Sequence, residues 1–211
     1  MVYCYQNIYR MFGKLPSSFQ LIQFTKLTKT MSQFTVPTRD QVSSASQEAF
    51  DGLQKALGFV PNLYATIAYS DNGLPKYLAF QGAKTSLSNK EKEAVNLVVS
   101  EINGCRYCQS AHTVLGKMNG FSDSDILGLR AGHSSNERLN ALTTLAKDVT
   151  ENKGRVSPAT LEAFYAAGYT NGNLVDVILQ VSDKIAMNYL HNLTEIPIDF
   201  PVAPALETQA A

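Results

Sequence analysis

Two cysteines and a histidine lie within eight consecutive residues of the segment EINGCRYCQSAH, which runs from Glu101 to His112. Cys105 and Cys108 form a CxxC motif, and His112 follows four residues after Cys108. Side chains three or four residues apart share one face of a helix, so a helical segment would bring the imidazole to the cysteines. Such a cluster can act as a redox dithiol or as a set of metal ligands.

Helix geometry predicts different roles for the two sulfurs. Cys105 lies at the start of the predicted helix, where unpaired backbone N–H groups favour a thiolate. Cys108 lies one turn further along and shares a face with His112, which can hydrogen-bond to the sulfur or exchange a proton with it. The spacing therefore predicts that Cys108 is the sulfur with an adjacent base.

An imidazole that acts as a base is usually oriented by a carboxylate on its other nitrogen. Two acidic residues precede the cysteines on the predicted neighbouring helix, Glu93 and Glu101. Glu101 is nearer in sequence but lies beside Gly104, where that helix should break. Glu93 could face His112 if the two helices pack antiparallel, and spacing alone leaves both candidates open.

Zinc binding is the main alternative for the same residues. The two cysteines and His112, with Glu93 or water as a fourth ligand, could complete a tetrahedral site. Structural zinc sites usually take a second ligand pair from a distant part of the chain, and the sequence offers none. A redox dithiol is therefore the preferred interpretation, with no bound metal.

Helical signals position this cluster. Ser88 and Glu91 form a capping box, apolar residues then recur at helical spacing, and Asn103 with Gly104 ends the segment directly before Cys105. Strand-like alternation is nearly absent from the chain after Arg39, which predicts an all-α bundle. Helices are expected at about 40–57, 63–69, 74–87, 88–102, 106–119, 136–151, 158–167 and 171–190, with a further short helix starting at Ser122.

Composition excludes several classes of function. The 211 residues are 45% hydrophobic and carry 18 basic and 18 acidic side chains, so no overall positive charge attracts nucleic acid. The sequence has no stretch of about 20 apolar residues that could cross a membrane. Three cysteines are too few for a secreted disulfide scaffold, which predicts a reducing compartment and a cytoplasmic protein.

The first thirty residues differ from the rest because they contain four basic residues and no acidic one. This leader faintly resembles a transit peptide. The preferred interpretation is that translation starts at Met31 and that residues 1–33 are a disordered or non-native leader. We expect a single helical domain over residues 34–201 and a flexible tail over 202–211.

Glu93, Cys105, Cys108 and His112 follow the spacing E-x11-CxxC-x3-H, which resembles the signature of the AhpD-like alkylhydroperoxidases in the carboxymuconolactone decarboxylase superfamily. Further segments resemble the peroxidase-related branch of that superfamily, over about residues 36–201. They are GFVPNLYATIAYS, SLSNKEKEAV, RVSPATLEAFYAAGYTNGNLVDVILQVS and NYLHNLTEIPIDFP. The resemblance favours Glu93 over Glu101.

The resemblance implies an AhpD-like helical bundle that assembles into trimers or hexamers and reduces hydroperoxides. It implies that Cys108 is the peroxidatic cysteine, that Cys105 resolves the sulfenic acid, and that Glu93 and His112 form a proton relay. No bound cofactor is implied. An external dithiol, in some relatives a lipoyl protein, would reduce the resulting disulfide.

One departure from the family pattern concerns Tyr107. Relatives often carry a second histidine immediately before the peroxidatic cysteine, and a phenol cannot act as a base at neutral pH without a large pKa shift. A low rate is therefore expected. The departure leaves open a rival function, a non-catalytic oligomeric protein that senses redox state or binds a partner. The decarboxylase branch is disfavoured, because its members generally lack the cysteine pair.

Other notable residues have structural interpretations. His133 is expected to be a solvated or capping residue in a loop, and His191 to satisfy carbonyls at a helix end. The apolar last helix is expected to pack against another subunit. Five aromatic residues are expected in the core or a subunit interface, with some lining a peroxide pocket. They are Phe59, Tyr64, Tyr69, Tyr77 and Phe80.

Overall fold

The computed structural model describes residues 34–206, so the predictions made for residues 1–33 and 207–211 lie outside its range. Within that range the chain forms a short 3-10 helix, Arg39–Gln41, and nine α-helices, with no strand. The all-α prediction is confirmed. The helices are α1 Ser44–Leu57, α2 Asn62–Ile67, α3 Gly73–Gln81, α4 Asn89–Ile102, α5 Arg106–Met118, α6 Asp123–Arg130, α7 Glu137–Glu151, α8 Pro158–Ala166 and α9 Asn171–Thr194.

Helix α4 lies at the centre of the bundle. Every residue from 94 to 100 is buried, and the helix packs against α5, α6, α7 and α9. The capping box predicted at its start is present, since the Ser88 hydroxyl accepts the Glu91 N–H and Glu91 accepts the Ser88 N–H. Because α4 is buried on all sides, its ends fix where the neighbouring helices begin.

The turn between α4 and α5 sets the start of the cysteine motif. Gly104 adopts a left-handed conformation with φ of +63°, which costs a glycine little and most other residues considerably more. The Cys105 N–H then donates to the Ser100 carbonyl at 3.0 Å, and Cys105 becomes the N-cap of α5. This short turn lets α5 pack back along α4.

Two predicted helix ends differ from the structure. Helix α3 ends at Gln81 rather than near Leu87, because the chain turns at Gly82 and Ser86 then hydrogen-bonds Asp176 of α9. Helix α9 continues one turn beyond Leu190 to Thr194. It ends where Glu195 takes a left-handed conformation and its N–H donates to the His191 carbonyl at 2.7 Å.

The described part of the predicted tail, residues 202–206, contacts the bundle. Ala203 is buried, and its N–H donates to the Ser110 hydroxyl at 3.0 Å. Arg130 donates to the Pro204 carbonyl at 2.8 Å. These residues are therefore packed, while the domain boundaries themselves stay a prediction.

The length and hydropathy of the helices also bear on membrane insertion. Between residues 34 and 206, no helix combines the length and the apolar character needed to cross a bilayer.

We predict that Leu142→Ala, in the middle of α7, lowers the free energy of unfolding by about 2–5 kcal/mol. Leu142 is fully buried in the main core, so truncation leaves a cavity that the surrounding helices cannot close. Urea denaturation monitored by circular dichroism measures the change. The matched control is Leu127→Ala on α6, which is 41% exposed and should cost much less. Equal losses for the two variants would contradict the described core.

Candidate functional site

The two cysteines of the CxxC motif lie at the buried N-terminus of α5. Both are free thiols, and their sulfurs lie 2.6 Å apart. The Cys105 sulfur also accepts the backbone N–H of Cys108 at 3.2 Å, which makes it the side-chain cap of the helix. The sulfurs are thus close enough to share a proton.

This arrangement makes the acidities of the two thiols unequal. The hydrogen bond from Cys108, helped by nearby His191 and the helix N–H, outweighs burial and lowers the pKa of Cys105 to about 5. The same hydrogen bond, together with burial, raises the pKa of Cys108. The spacing argument assigned the adjacent base to Cys108, so this difference in acidity departs from it. The hydrogen bond between the two sulfurs is the main physical reason.

The imidazole that helps to lower the pKa of Cys105 belongs to His191 of α9. Its ring packs against that of Tyr107, with ring centroids 5.3 Å apart, and its Nε2 lies 3.2 Å from the Ile196 carbonyl. The expected partners were carbonyls at the helix end, whereas the observed partner lies two residues after it. The proximity of His191 to the cysteines could not be predicted from the sequence, because His191 lies 83 positions after Cys108.

His112 and Glu93 meet across the α4–α5 interface. The His112 Nδ1 lies 2.8 Å from Glu93 Oε2, and Asn96 donates to the other carboxylate oxygen at 3.1 Å. Burial alone would raise the pKa of the Glu93 carboxyl, but His112 and the hydrogen bonds hold it below its ordinary value. Glu101, the other candidate, pairs instead with buried Arg130 at 2.8 Å.

The expected direct bond between His112 and Cys108 is not among the hydrogen bonds of residues 34–206. The ring and the sulfur instead border the same cavity. The i, i+4 spacing places both side chains on the face of α5 that lines this cavity, but it does not bring them into hydrogen-bonding contact. His112 is therefore positioned to act on a molecule in the cavity rather than on the resting thiol.

An apolar cavity of about 380 Å³ opens beside Cys108. This volume falls within the range of small-molecule sites. Cys108 lines the cavity, whereas Cys105 lies behind it. The lining residues are Ala56, Leu57, Phe59, Pro61, Leu63, Tyr64, Tyr107, Cys108, Ala111, His112, Val114, Leu115, Met118, Lys184, Met187 and Phe200.

Tyr107 has a packing role in this wall. Its ring meets that of Phe200 edge to face, with centroids 5.6 Å apart, and its hydroxyl accepts the Leu63 N–H at 3.3 Å. Burial raises the pKa of the phenol, so the group stays protonated at neutral pH. The expectation that Tyr107 cannot act as a base there agrees with this environment.

Helix α9 adds two polar residues that sequence reasoning missed. Lys184 is only 3% exposed and lines the cavity with Cys108. Asn188, one turn later, is fully buried and accepts a hydrogen bond from Asn103 at 3.0 Å. It partly opposes the rise in the pKa of Cys108. In the sequence, Lys184 follows Asp183 and resembles the exposed charged face of a helix. No spacing rule within α9 indicates that this face covers the cysteines.

A chain of hydrogen bonds links Glu93 to α3. The Gln180 side chain donates to the Asn96 side-chain oxygen, Oδ1, at 2.7 Å and to the Asp183 carboxylate at 3.4 Å. The Tyr77 hydroxyl donates to the same carboxylate at 2.5 Å. Together with the bond from Asn96 to Glu93, these contacts connect α3, α9 and α4 through buried polar groups. They fix the Glu93 carboxylate in place and leave His112 at the cavity wall.

The predicted aromatic and histidine positions fall in several places. Tyr64 and Tyr77 pack against the cysteine cluster, and Phe59 lines the cavity. Tyr69 and Phe80 are 54% and 43% exposed, so neither lies in the core of the described chain. His133 is exposed in the loop after α6, as expected.

Metal binding finds no support in the geometry of the described residues. No group of three or more His, Cys, Asp and Glu side chains among them is arranged to hold a metal ion. The His112 Nδ1 already bonds Glu93, and the two sulfurs contact each other. The arrangement instead suits chemistry in which the sulfurs form a bond and a proton moves at the cavity wall.

The segment that carries the motif matches the model of a known protein family. Residues 72–148 match the model of the carboxymuconolactone decarboxylase family, and this range contains Glu93, both cysteines and His112. The comparison with curated proteins found no match.

Solved structures share the fold. A peroxidase-related protein from Ralstonia eutropha JMP134, described as an alkylhydroperoxidase AhpD core, is 20% identical with a TM-score of 0.72 over 79% of this chain and 92% of its own. A peroxidase-related protein from Silicibacter sp. TM1040 is 22% identical with a TM-score of 0.70, over 78% and 90%. The debrominase Bmp8 is 15% identical with a TM-score of 0.64, over 77% and 90%. The predicted AhpD-like fold and its resemblance to the carboxymuconolactone decarboxylase superfamily are confirmed.

We predict that Glu93→Gln lowers the free energy of unfolding at pH 7 by about 1–3 kcal/mol, because the His112 ring loses its charged partner. The pKa of Glu93 is depressed in the folded protein, so its stabilisation is complete above the ordinary carboxyl pKa of about 4 and is lost as the pH falls through the lower folded value. Urea titrations between pH 7 and pH 3 should therefore show the difference from wild type shrinking with acidity.

The control for this experiment is Glu162→Gln, because Glu162 is exposed on α8. It should leave the unfolding free energy nearly unchanged across the same pH range. A Glu93→Gln deficit that stays constant down to pH 3 would contradict an ionised, His112-paired carboxylate.

Proposed function

We propose that this AhpD-like chain of the carboxymuconolactone decarboxylase superfamily is a thiol-dependent peroxidase that reduces organic hydroperoxides through its CxxC dithiol. The observation that carries the proposal is the position of Cys108. Its sulfur borders an apolar cavity of about 380 Å³ and lies 2.6 Å from a second sulfur that can complete the reaction. The peroxidase-related names of two structural neighbours agree with this function.

The first step requires a proton transfer between the sulfurs. At rest Cys105 carries the negative charge and Cys108 carries the proton, as their pKa values indicate. When Cys105 accepts that proton, the Cys108 thiolate attacks the terminal oxygen of the hydroperoxide. An S–O bond forms, the O–O bond breaks, and an alkoxide leaves while Cys108 becomes a sulfenic acid.

His112 supplies the proton that the departing alkoxide needs. Its Nδ1 is held by Glu93, which leaves Nε2 available at the cavity wall. Donation by the protonated ring gives the alcohol and a neutral imidazole, which recovers its proton from water. In this relay Glu93 orients the ring through its contact with Nδ1.

The second step forms the disulfide. The Cys105 thiol condenses with the Cys108 sulfenic acid, so that an S–S bond forms and water leaves. Two thiols and one hydroperoxide thus yield a disulfide, an alcohol and water. An external dithiol, such as a lipoyl group on a protein, returns the pair to the thiol form by exchange.

We predict that Cys108→Ser abolishes turnover of cumene hydroperoxide with dihydrolipoamide as the reductant, because the atom that attacks the O–O bond is lost. Cys105→Ser should permit one oxidation of Cys108 to a sulfenic acid that a dimedone probe traps, without steady turnover. Both variants are made in a Cys4→Ser background so that the third thiol cannot contribute. The Cys4→Ser parent is the control and should turn over like wild type.

The same assay separates the enzyme from its rival. A wild-type protein that is oxidised once per molecule and does not turn over with any dithiol would support the redox-sensing alternative. Full activity in Cys108→Ser would overturn the assignment of the attacking sulfur.

We also propose that α9 packs against a second copy of this chain. Its outer face carries a row of exposed apolar side chains, Val175, Ile178, Leu179, Tyr189 and Leu193. We predict an oligomer, expected to be a trimer or hexamer, in size-exclusion chromatography with light scattering. Val175→Glu with Leu179→Glu should shift it to smaller species, since charges in an apolar interface are costly. A monomeric wild type would contradict this proposal.

A further inference from the structure

Lys184 is a buried, charged residue that lacks a closely paired carboxylate among the described residues. The residue is 3% exposed, and lysine is almost never fully buried unless its ammonium is paired. It extends from α9 to the wall of the cavity that Cys108 and His112 also line. A lysine at this position places a positive charge at the reactive end of an otherwise apolar chamber.

The neighbouring carboxylate is an incomplete partner for this ammonium. Lys184 Nζ lies 3.4 Å from Asp183 Oδ2, which is longer than the roughly 2.7–2.9 Å of a normal charged hydrogen bond. Asp183 is meanwhile bonded by the Tyr77 hydroxyl, at 2.5 Å, and by Gln81 of α3. Among residues 34–206, Asp183 is the one carboxylate within 4 Å of the ammonium.

The other groups that affect the ammonium belong to the proposed site or lie beside it. Burial alone would lower the pKa of Lys184, but Asp183, Cys108, Tyr64 and Glu93 together raise it, so the amine stays protonated. In return Lys184 opposes the rise in the pKa of Cys108 caused by Cys105 and burial. The ammonium is therefore coupled to the sulfur that borders the cavity.

We propose that Lys184 is the electrostatic partner of the reacting sulfur: its ammonium stabilises the Cys108 thiolate as it forms and then the alkoxide that leaves the hydroperoxide. This role rests on the proposed peroxidase function and adds a residue to it. The thiolate and the alkoxide each carry one negative charge in a largely apolar cavity. A fixed positive charge at that point lowers the energy of both without moving during the reaction. His112 remains the proton donor to the alkoxide.

The most direct test uses charged and neutral alkylating reagents on the reduced wild-type protein. Iodoacetate is an anion and iodoacetamide is neutral, and peptide mapping by mass spectrometry gives the rate of each at Cys108. The ratio of the two rates should exceed the ratio for N-acetylcysteine by about tenfold, because the ammonium attracts the anion into the cavity. This readout requires no peroxidase activity and no variant.

Lys184→Met removes the charge and keeps much of the side-chain length. We predict that its alkylation ratio falls to that of N-acetylcysteine and that oxidation of Cys108 by cumene hydroperoxide slows by about 10²-fold. Lys184→Arg should keep most of both properties. The control Lys76→Met removes an exposed lysine of α3 and should change neither.

The outcomes distinguish this inference from the function on which it rests. A high wild-type ratio without peroxide turnover would contradict the proposed peroxidase function but would still support a positive charge near Cys108. Turnover with a wild-type ratio equal to that of N-acetylcysteine would overturn the role of Lys184 alone. If Lys184→Met does not fold, the wild-type ratio still decides. A folded Lys184→Met variant with unchanged ratio and oxidation rate would also overturn the proposal.

Discussion

The left-handed turn at Gly104 is the constraint on which the candidate site depends. It ends the buried helix α4, and the next residue, Cys105, is the N-cap of α5. A thiol thereby occupies a position that serine, threonine or aspartate usually fills, and it accepts a helix N–H in their place. The same turn folds α5 back along α4. Glu93 and His112, each about two to three helical turns from Gly104, consequently meet across the interface.

Helix α9 completes the site from the opposite side. Its 24 residues span about 36 Å, and Lys184, Asn188 and His191 recur along it at intervals of four and three residues, which places them on one face. All three are buried, and each affects the pKa of a cysteine. Buried polar groups are costly unless they are satisfied, so this face is stable only against other polar groups. Asn103 and the Ser100 hydroxyl provide them for Asn188.

Local sequence signals predicted the helices well, whereas contacts between helices distant in sequence could not be predicted from them. The capping box at Ser88, the proline after Ser157 and the Asn103–Gly104 break are written in neighbouring residues, so they could be recognised from the sequence alone. The pairing of Glu93 with His112 required the family motif, because spacing left Glu101 equally possible. Lys184 and His191 were missed because their burial depends on where α9 packs, and a periodic pattern describes only the helix that carries it. The helix start indicated a thiolate at Cys105, but the raised pKa of Cys108 was missed, since it depends on a hydrogen bond between the sulfurs and on burial.

That difference suits both halves of the proposed cycle. A thiolate of lower pKa is a weaker nucleophile but a better leaving group. Cys105, with a pKa of about 5, is therefore suited to hold the charge at rest rather than to attack. Cys108 is harder to ionise, but its thiolate is the stronger nucleophile once Cys105 has taken its proton, and it is the sulfur at the cavity. In the disulfide form, Cys108 is again the sulfur at the cavity. An external thiolate would therefore attack Cys108 first, and Cys105 would leave as the more stable thiolate. One hydrogen bond between two sulfurs thus directs both the attack on the peroxide and the regeneration of the dithiol.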